Sequence, residues 1–236
     1  MPRFDLDVVW LGRVPYRDAL SMQLDTHRAV AAGKAPDTVL LLEHEPVYTT
    51  GKRGERGGFL VPREELVRRG AEVVATDRGG LVTFHGPGQL VGYPILSLAR
   101  LRLSLHCYVD ILTGALSDTL STYGIDARVD SVNPGVYVGG RKIASIGVRL
   151  SEGVTRHGFA VNLTTDLSWF EAVVACGLHG VKATSLLAET GASHPPEEFG
   201  RHATRVLWDR LVEKSVSGRS CRAKSRNPQA GTTSES

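Results

Sequence analysis

The sequence has little cysteine, few aromatic side chains and no long apolar run. Its 236 residues include three cysteines, and 6% of them are aromatic. No apolar run approaches the roughly 20 residues that cross a bilayer. Asp5 and Asp7 lie where a signal peptide would need its apolar region. We therefore expect a cytoplasmic protein with no membrane partner and no disulfide framework.

Most of the chain also lacks an excess of either positive or negative charge. The net charge is +3, but residues 214–236 carry five basic side chains against one acid, so residues 1–213 are almost neutral. A nucleic-acid partner is therefore not expected. Because residues 214–236 are polar and contain few apolar groups, we predict a disordered basic tail there and one domain over residues 1–213.

Hydrophobic periodicity predicts an α+β fold in which helices flank a mainly antiparallel sheet. The predicted helices cover residues 16–33, 104–123, 168–174 and about 197–214. The predicted strands cover residues 38–42, 81–85, 89–96, 135–138, 142–150 and 154–163. Ser104 suits a helix N-cap, and the pair Gly139–Gly140 suits a hairpin turn.

Familiar cofactor motifs are absent from the sequence. Residues 86–92 look like a dinucleotide-binding loop, but a strand-like segment with Pro94 follows, where such a loop must open a helix. No P-loop sequence occurs, and cysteines and histidines do not cluster at metal-site spacing. We predict no cofactor and no metal.

Glycines inside two predicted strands need another explanation. Gly147 and Gly158 weaken a strand unless a ligand or another backbone approaches closely. Tight packing accounts equally well for either glycine alone. Taken as a set beside His85, Lys142 and His157, the glycines favour a groove for an extended substrate.

Cys176 is the candidate nucleophile. It is followed by Gly177, which leaves room for a reacting group, although a lone cysteine is more often a small buried apolar residue. It becomes nucleophilic only where a cation lowers the pKa of its thiol, and Lys142, in an otherwise apolar stretch, is the candidate cation. We expect Cys107 and Cys221 to be inert.

Five segments resemble, in order, the signature of the lipoyl(octanoyl) transferase family. The longest is RGGLVTFHGPGQLVGYP at residues 78–94, which is far more specific than a short motif. The others are EHEPVYT at 43–49, RKIASIG at 141–147, HGFAVN at 157–162 and ACG at 175–177. Compatible flanks extend from about residue 7 to residue 213.

The resemblance implies a fold and a reaction. Residues 1–213 would form a catalytic domain like that of lipoate and biotin protein ligases, which is similar to class II synthetases. The reaction would transfer octanoyl from octanoyl-acyl carrier protein to a lysine of a lipoyl domain, the first step of protein lipoylation. The implied acceptors are lipoyl domains of 2-oxoacid dehydrogenase complexes and the glycine cleavage H protein.

The same resemblance assigns roles to residues. Cys176 would carry the octanoyl group as a thioester, and Lys142 would lower the pKa of its thiol. The residues that match substrate-binding segments are Arg78, Gly79, Gly80, Leu81, Val82, Thr83, Phe84, His85, Ser145, Ile146, Gly147, Gly158, Phe159 and Ala160. The chain has Ala175 where the family commonly has proline, which leaves the rigidity of the nucleophile loop open.

Three other functions fit parts of the pattern. An ATP-dependent lipoate or biotin ligase would share the fold but would activate its acid as an adenylate, so it would not need Cys176. A non-catalytic member would bind lipoyl domains or acyl carrier protein without reacting. A cysteine hydrolase would pass the acyl group to water. A requirement for ATP separates the ligase from the transferase.

Overall fold

The computed structural model describes residues 5–54, 58–130, 133–174 and 181–217. Its strands are β1 (Leu6–Val14), β2 (Asp37–His44), β3 (Val47–Thr50), β4 (Glu72–Ala75), β5 (Val82–His85), β6 (Gln89–Ile95), β7 (Arg128–Asp130), β8 (Gly135–Val138), β9 (Arg141–Ser151) and β10 (Val154–Asn162). Its helices are α1 (Tyr16–Ala31), α2 (Arg63–Arg68), α3 (Leu98–Leu101), α4 (Leu105–Thr122), α5 (Leu186–Thr190), α6 (Pro196–Ser217) and the 3₁₀ helix Leu167–Ala172.

The strands form a large sheet and a small sheet. The large sheet has the order β1-β2-β6-β10-β9-β8-β7, and its pairs are antiparallel apart from β1 with β2. The small sheet has the order β4-β3-β5, with β3 parallel to β4 and antiparallel to β5. The prediction of an α+β fold with a mainly antiparallel sheet flanked by helices is therefore confirmed.

Strand β2 is buried on both of its faces. Val39 and Leu41 belong to the same core as the apolar faces of α4 and α6. Leu40 and Leu42 point the other way and pack in a second core with Ala19 of α1. Side chains alternate along a strand, so helices on both faces of the sheet require an unbroken apolar run here.

Local sequence signals account for the ends of α4 and for the β8–β9 turn. The Ser104 hydroxyl accepts a hydrogen bond from the backbone N–H of Cys107 at 3.2 Å. Gly124 has a φ of +81° just after the helix. Gly139 and Gly140 have φ of +53° and +81°, the backbone that a two-residue hairpin with positive φ at both central positions requires.

Strand β1 has no counterpart among the predicted strands. Its exposure changes irregularly along the strand, and its parallel pairing with β2 shifts register between Trp10 and Arg13. Gly12, inside that shift, has a φ of +70°. The pairing reaches across the whole of α1, and short-range periodicity carries no information about so distant a partner.

The C-terminal prediction lies partly outside the described residues. Helix α6 continues to Ser217, so residues 214–217 of the expected tail are helical, while residues 218–236 are not described. Cys107 is disulfide-bonded, contrary to our expectation, and Cys176 and Cys221 lie outside the described residues. Across the described ranges, no helix combines the length and apolar character that a bilayer crossing needs.

Candidate active site

A cavity lies where β5 and α1 approach the β6, β10 and β9 strands of the large sheet. The space between its walls is about 470 Å³, including the open solvent at its mouth. Tyr16, Val91, Tyr93 and Phe159 supply rings and apolar groups to its wall. Its mainly apolar wall suits an apolar group.

Many of the predicted substrate-binding residues line this cavity, and the others do not. Those that line it are Arg78, Gly80, Thr83, His85, Ser145, Ile146, Gly147, Gly158, Phe159 and Ala160. Val82 and Phe84 alternate with Thr83 and His85 along β5, so they point away and pack in a separate small core. Gly79 donates its backbone N–H to Val148, and the Leu81 carbonyl accepts from Arg78.

Arg78 is buried and uses its guanidinium to hold backbone. Nη2 donates to the carbonyl oxygens of Thr49 and Leu81 at 2.6 and 2.8 Å, and Nη1 donates to that of Gly79 at 2.9 Å. The rigid fork of donors therefore ties the loop before β5 to β3. Arg78 and Gly80 of this loop form part of the cavity wall.

Gly147 and Gly158 face each other across the β9–β10 pair. A Cβ at Gly158 would lie 2.2 Å from the carbonyl oxygen of Gly92 and 2.5 Å from Cδ of Pro94. A Cβ at Gly147 would lie 3.1 Å from the carbonyl oxygen of Gly79. Both glycines therefore permit close backbone packing, and that packing shapes the walls of the cavity.

We expect Gly158→Ala to lower the free energy of unfolding by about 3 kcal/mol or more, because backbone and a proline ring must move. Gly79→Ala is the matched control, since its Cβ would lie 3.3 Å from the nearest atom. Its cost should stay below about 1 kcal/mol. Urea unfolding of both variants measures the difference, and equal midpoints would contradict the packing argument.

His157, which is buried in the cavity wall, pairs with the partly exposed Asp77. Nε2 of His157 lies 2.8 Å from Oδ1 of Asp77. An ionised carboxylate only accepts, so Nε2 carries the proton. This hydrogen bond is the main cause that lowers the pKa of Asp77 to about 2, and Arg156 adds to it. Asp77 raises the pKa of His157, but burial lowers it by more, so the neutral ring is favoured. His157 also has a φ of +56°, which is rare outside glycine.

Two further histidines lie against the same cavity. His85 lines it, and the ring centroids of His85 and His44 are 5.8 Å apart. Burial lowers the pKa of His85 to about 3 and that of His44 to about 4. His44 Nδ1 lies 2.8 Å from the Val14 carbonyl, so His44 donates there and Nε2 accepts from the Tyr93 hydroxyl at 2.7 Å.

Lys142 is buried at the start of β9, with 5% of its surface exposed. Its side chain lies over Gly135, where a Cβ would come within 2.6 Å of Cε, and Nζ is 5.4 Å from the centre of the Tyr137 ring. The backbone of Lys142 donates to the Lys182 carbonyl at 2.8 Å and accepts from the N–H of Thr184 at 2.9 Å.

Ala175, Cys176 and Gly177 lie outside the described residues, so the position of the nucleophile stays a prediction. The chain on both sides is held by hydrogen bonds. Val174 donates its N–H to the Gly58 carbonyl at 2.9 Å, and Lys182 accepts from Lys142. The described residues on the two sides of the Cys176 segment, Val174 and Lys182, therefore lie beside Gly58 and Lys142.

Sequence patterns did not indicate all parts of this site. Tyr16, Val91 and Tyr93 line the cavity without having been predicted there. Asp77 was also missed, although it directly precedes the recognised segment 78–94. Nothing local marks Asp77 as the partner of His157, which follows it by 80 positions.

A family model described as the lipoyl protein ligase A/B catalytic domain matches residues 15–207. The mitochondrial octanoyltransferase LIP2 of Arabidopsis thaliana is 43% identical over 208 residues, which cover 88% of this chain and 86% of the relative. An octanoyltransferase of Solibacter usitatus is 46% identical over 195 residues, which cover 83% and 88%.

The fold also matches that of solved structures. A putative lipoate protein ligase of T. acidophilum with bound lipoic acid superposes with a TM-score of 0.68 at 16% identity, covering 88% of this chain and 86% of that one. A lipoate-protein ligase A bound with ATP gives a TM-score of 0.69 at 16% identity, covering 87% and 85%. The fold thus agrees with the sequence comparisons, by which the chain belongs to the lipoyl protein ligase A/B catalytic domain family and, within it, groups with the octanoyltransferases.

Proposed function

We propose that the chain transfers octanoyl from octanoyl-acyl carrier protein, through a thioester on Cys176, to a lysine of lipoyl domains. Residues 1–213 act as the catalytic domain. The observation that carries this proposal is the buried position of Lys142 beside the residues that follow the Cys176 segment. The backbone of this buried lysine is hydrogen-bonded to Lys182 and Thr184, which follow the Cys176 segment along the chain.

The lysine and the cysteine share the first step. An ammonium close to a thiol favours the thiolate, which attacks the acyl thioester of the donor. The S–C bond to the donor breaks as the S–C bond to Cys176 forms, so one thioester replaces another at little net cost. The acceptor amine then attacks the carbonyl carbon, the bond to Cys176 breaks, and a more stable amide remains. No ATP is consumed.

The cavity residues bind the acyl chain in this proposal. An octanoyl group has about six methylenes, and their burial at ~0.8 kcal/mol each is worth on the order of 5 kcal/mol. Along β9 the cavity runs from Ser145, three residues beyond Lys142, to Gly147. The thioester would therefore lie at the Ser145 end, and the methyl end would lie toward Gly147.

The test is intact mass of the purified chain after mixing with octanoyl-acyl carrier protein and no ATP. We expect one octanoyl group to be added, and we expect that a lipoyl domain then removes it. A chain that acylates the lipoyl domain only from free octanoate and ATP would instead be a ligase. Lipoyl domains of 2-oxoacid dehydrogenases and the glycine cleavage H protein are the acceptors to compare.

A cytoplasmic location completes the proposal. The small number of cysteines supports it, whereas the disulfide at Cys107 weighs against a fully reducing compartment. Fractionation of cells that express the full chain tests the location directly.

Gly135→Ala should reduce the rate of acylation without removing a reacting group. A Cβ at this position would lie 2.6 Å from Cε of Lys142 and 2.8 Å from the Ala144 carbonyl oxygen, so the lysine must move. Because a displacement of about 1 Å costs up to ~10²-fold in rate, we expect a roughly 10- to 100-fold slower appearance of the octanoyl adduct. An unchanged rate would contradict the role given to Lys142.

A further inference from the structure

His85 lies at the end of the cavity that is nearer to Lys142. On the large sheet Val161 pairs with Ala144, and the next residue, Asn162, pairs with Gln89. His85 is hydrogen-bonded to the side chain of Gln89. The other cavity imidazole, His157, pairs with Val148, which is six positions from Lys142 and therefore roughly 20 Å along the strand.

Two backbone carbonyls set the direction of a buried hydrogen-bond chain that ends at His85. The carbonyl of Thr184 can only accept, so Nδ2 of Asn162 donates to it at 2.9 Å. Oδ1 of Asn162 then accepts from Nε2 of Gln89 at 2.8 Å, and the Phe84 carbonyl accepts from the same nitrogen at 3.3 Å. This leaves Oε1 of Gln89 as the acceptor that faces His85.

The chain therefore fixes the tautomer of His85. Its Nδ1 lies 2.7 Å from Oε1 of Gln89 and must donate to it. Nε2 is then the unprotonated nitrogen, and no described residue forms a hydrogen bond with it. Burial, with smaller effects from His44 and Arg78, lowers the pKa of His85 to about 3, so the ring is neutral near pH 7.

This tautomer limits what His85 can do chemically. A neutral ring with its proton on Nδ1 cannot donate from Nε2 to a developing oxyanion. Attack by a thiolate brings no N–H group for Nε2 to accept. Attack by an amine does, because the amine nitrogen carries hydrogens that must be oriented and then lost. The geometry therefore suits transfer of the acyl group to the amine, and not the earlier acylation of Cys176.

We propose that Nε2 of His85 accepts a hydrogen bond from the attacking lysine amine of the acceptor, and that Gln89 and Asn162 are the positioning residues that hold it. This inference rests on the proposed function. The C–N bond forms, the C–S bond to Cys176 breaks with its electron pair on sulfur, and the proton of the amine ends on the Lys142–Cys176 pair. His85 orients the amine and keeps no proton.

The experiment measures the two half-reactions separately by intact mass. Acylation is followed after adding octanoyl-acyl carrier protein, and transfer is followed after adding a lipoyl domain to the isolated octanoyl-enzyme. For His85→Phe we expect transfer to slow by ~10²-fold or more beyond any slowing of acylation, which the altered cavity wall also affects. Gln89→Leu should show the same pattern with a smaller loss, about 10-fold, because the ring remains but its orientation is released.

His85→Gln provides the conservative rescue, since its side-chain amide oxygen can accept in place of Nε2 and should restore much of the transfer rate. His106→Gln, the same change at an exposed position on α4, should leave both rates unchanged. Equal slowing of both half-reactions, or no slowing of transfer, overturns the inference while leaving the thioester intact. An absent octanoyl adduct on the parent overturns the proposed function itself.

Discussion

Replacing Cys176 by serine should abolish the octanoyl adduct and lower transfer to a lipoyl domain by on the order of 10³-fold or more. A serine hydroxyl is hardly ionised near neutral pH, whereas a thiol beside a cation, the role proposed for Lys142, ionises readily. The measurement is intact mass after mixing with octanoyl-acyl carrier protein, followed by a transfer assay.

Cys221→Ser is the matched control for that variant. It makes the same chemical change at a cysteine to which the resemblance assigns no role, so the adduct and transfer should both persist. If Cys176→Ser instead transferred octanoyl at the parent rate, the acyl group would pass directly from donor to acceptor, and the covalent mechanism would be wrong.

Replacing Lys142 by methionine should slow acylation by about 10²- to 10⁴-fold. Methionine nearly preserves the length of the side chain over Gly135 but removes the charge. Without the cation, the thiol pKa returns toward its ordinary value of about 8.5, so the rate should rise with pH over a higher range than in the parent. The pH dependence of adduct formation measures this shift.

Lys182→Met is a suitable control, because Lys182 contributes its backbone carbonyl to Lys142 while its side chain is exposed. Its pH dependence should match that of the parent. The same pH dependence in Lys142→Met would mean that another group sets the state of the thiol.

The sequence predicted those parts of the fold that depend on near neighbours. The cap at Ser104 and the turn at Gly139–Gly140 involve residues within a few positions of each other, and both are present. Strands β1, β3 and β4 depend on pairings between distant segments, which periodicity does not reveal. These were missed for that reason.

The candidate site was predictable in outline and not in its contacts. Resemblance assigned the whole stretch 78–85 to substrate, yet the alternation of β5 sends Phe84 away from the cavity and His85 into it. The partners Asp77 and His157 come together only because β10 folds back beside the loop that precedes β5. A sequence motif shows which residues are present, whereas a contact between distant residues depends on how the strands pair.

The register shift in β1 has a consequence for how the protein behaves in concentrated solution. β1 is an edge strand of the seven-stranded sheet, so one side of its backbone could template a strand from another molecule. The irregularity between Trp10 and Arg13, with Gly12 in a left-handed conformation, breaks the even row of donors and acceptors that such templating needs. The charged side chains of Asp7 and Arg13 add a further obstacle. The edge is therefore protected against sheet-to-sheet aggregation.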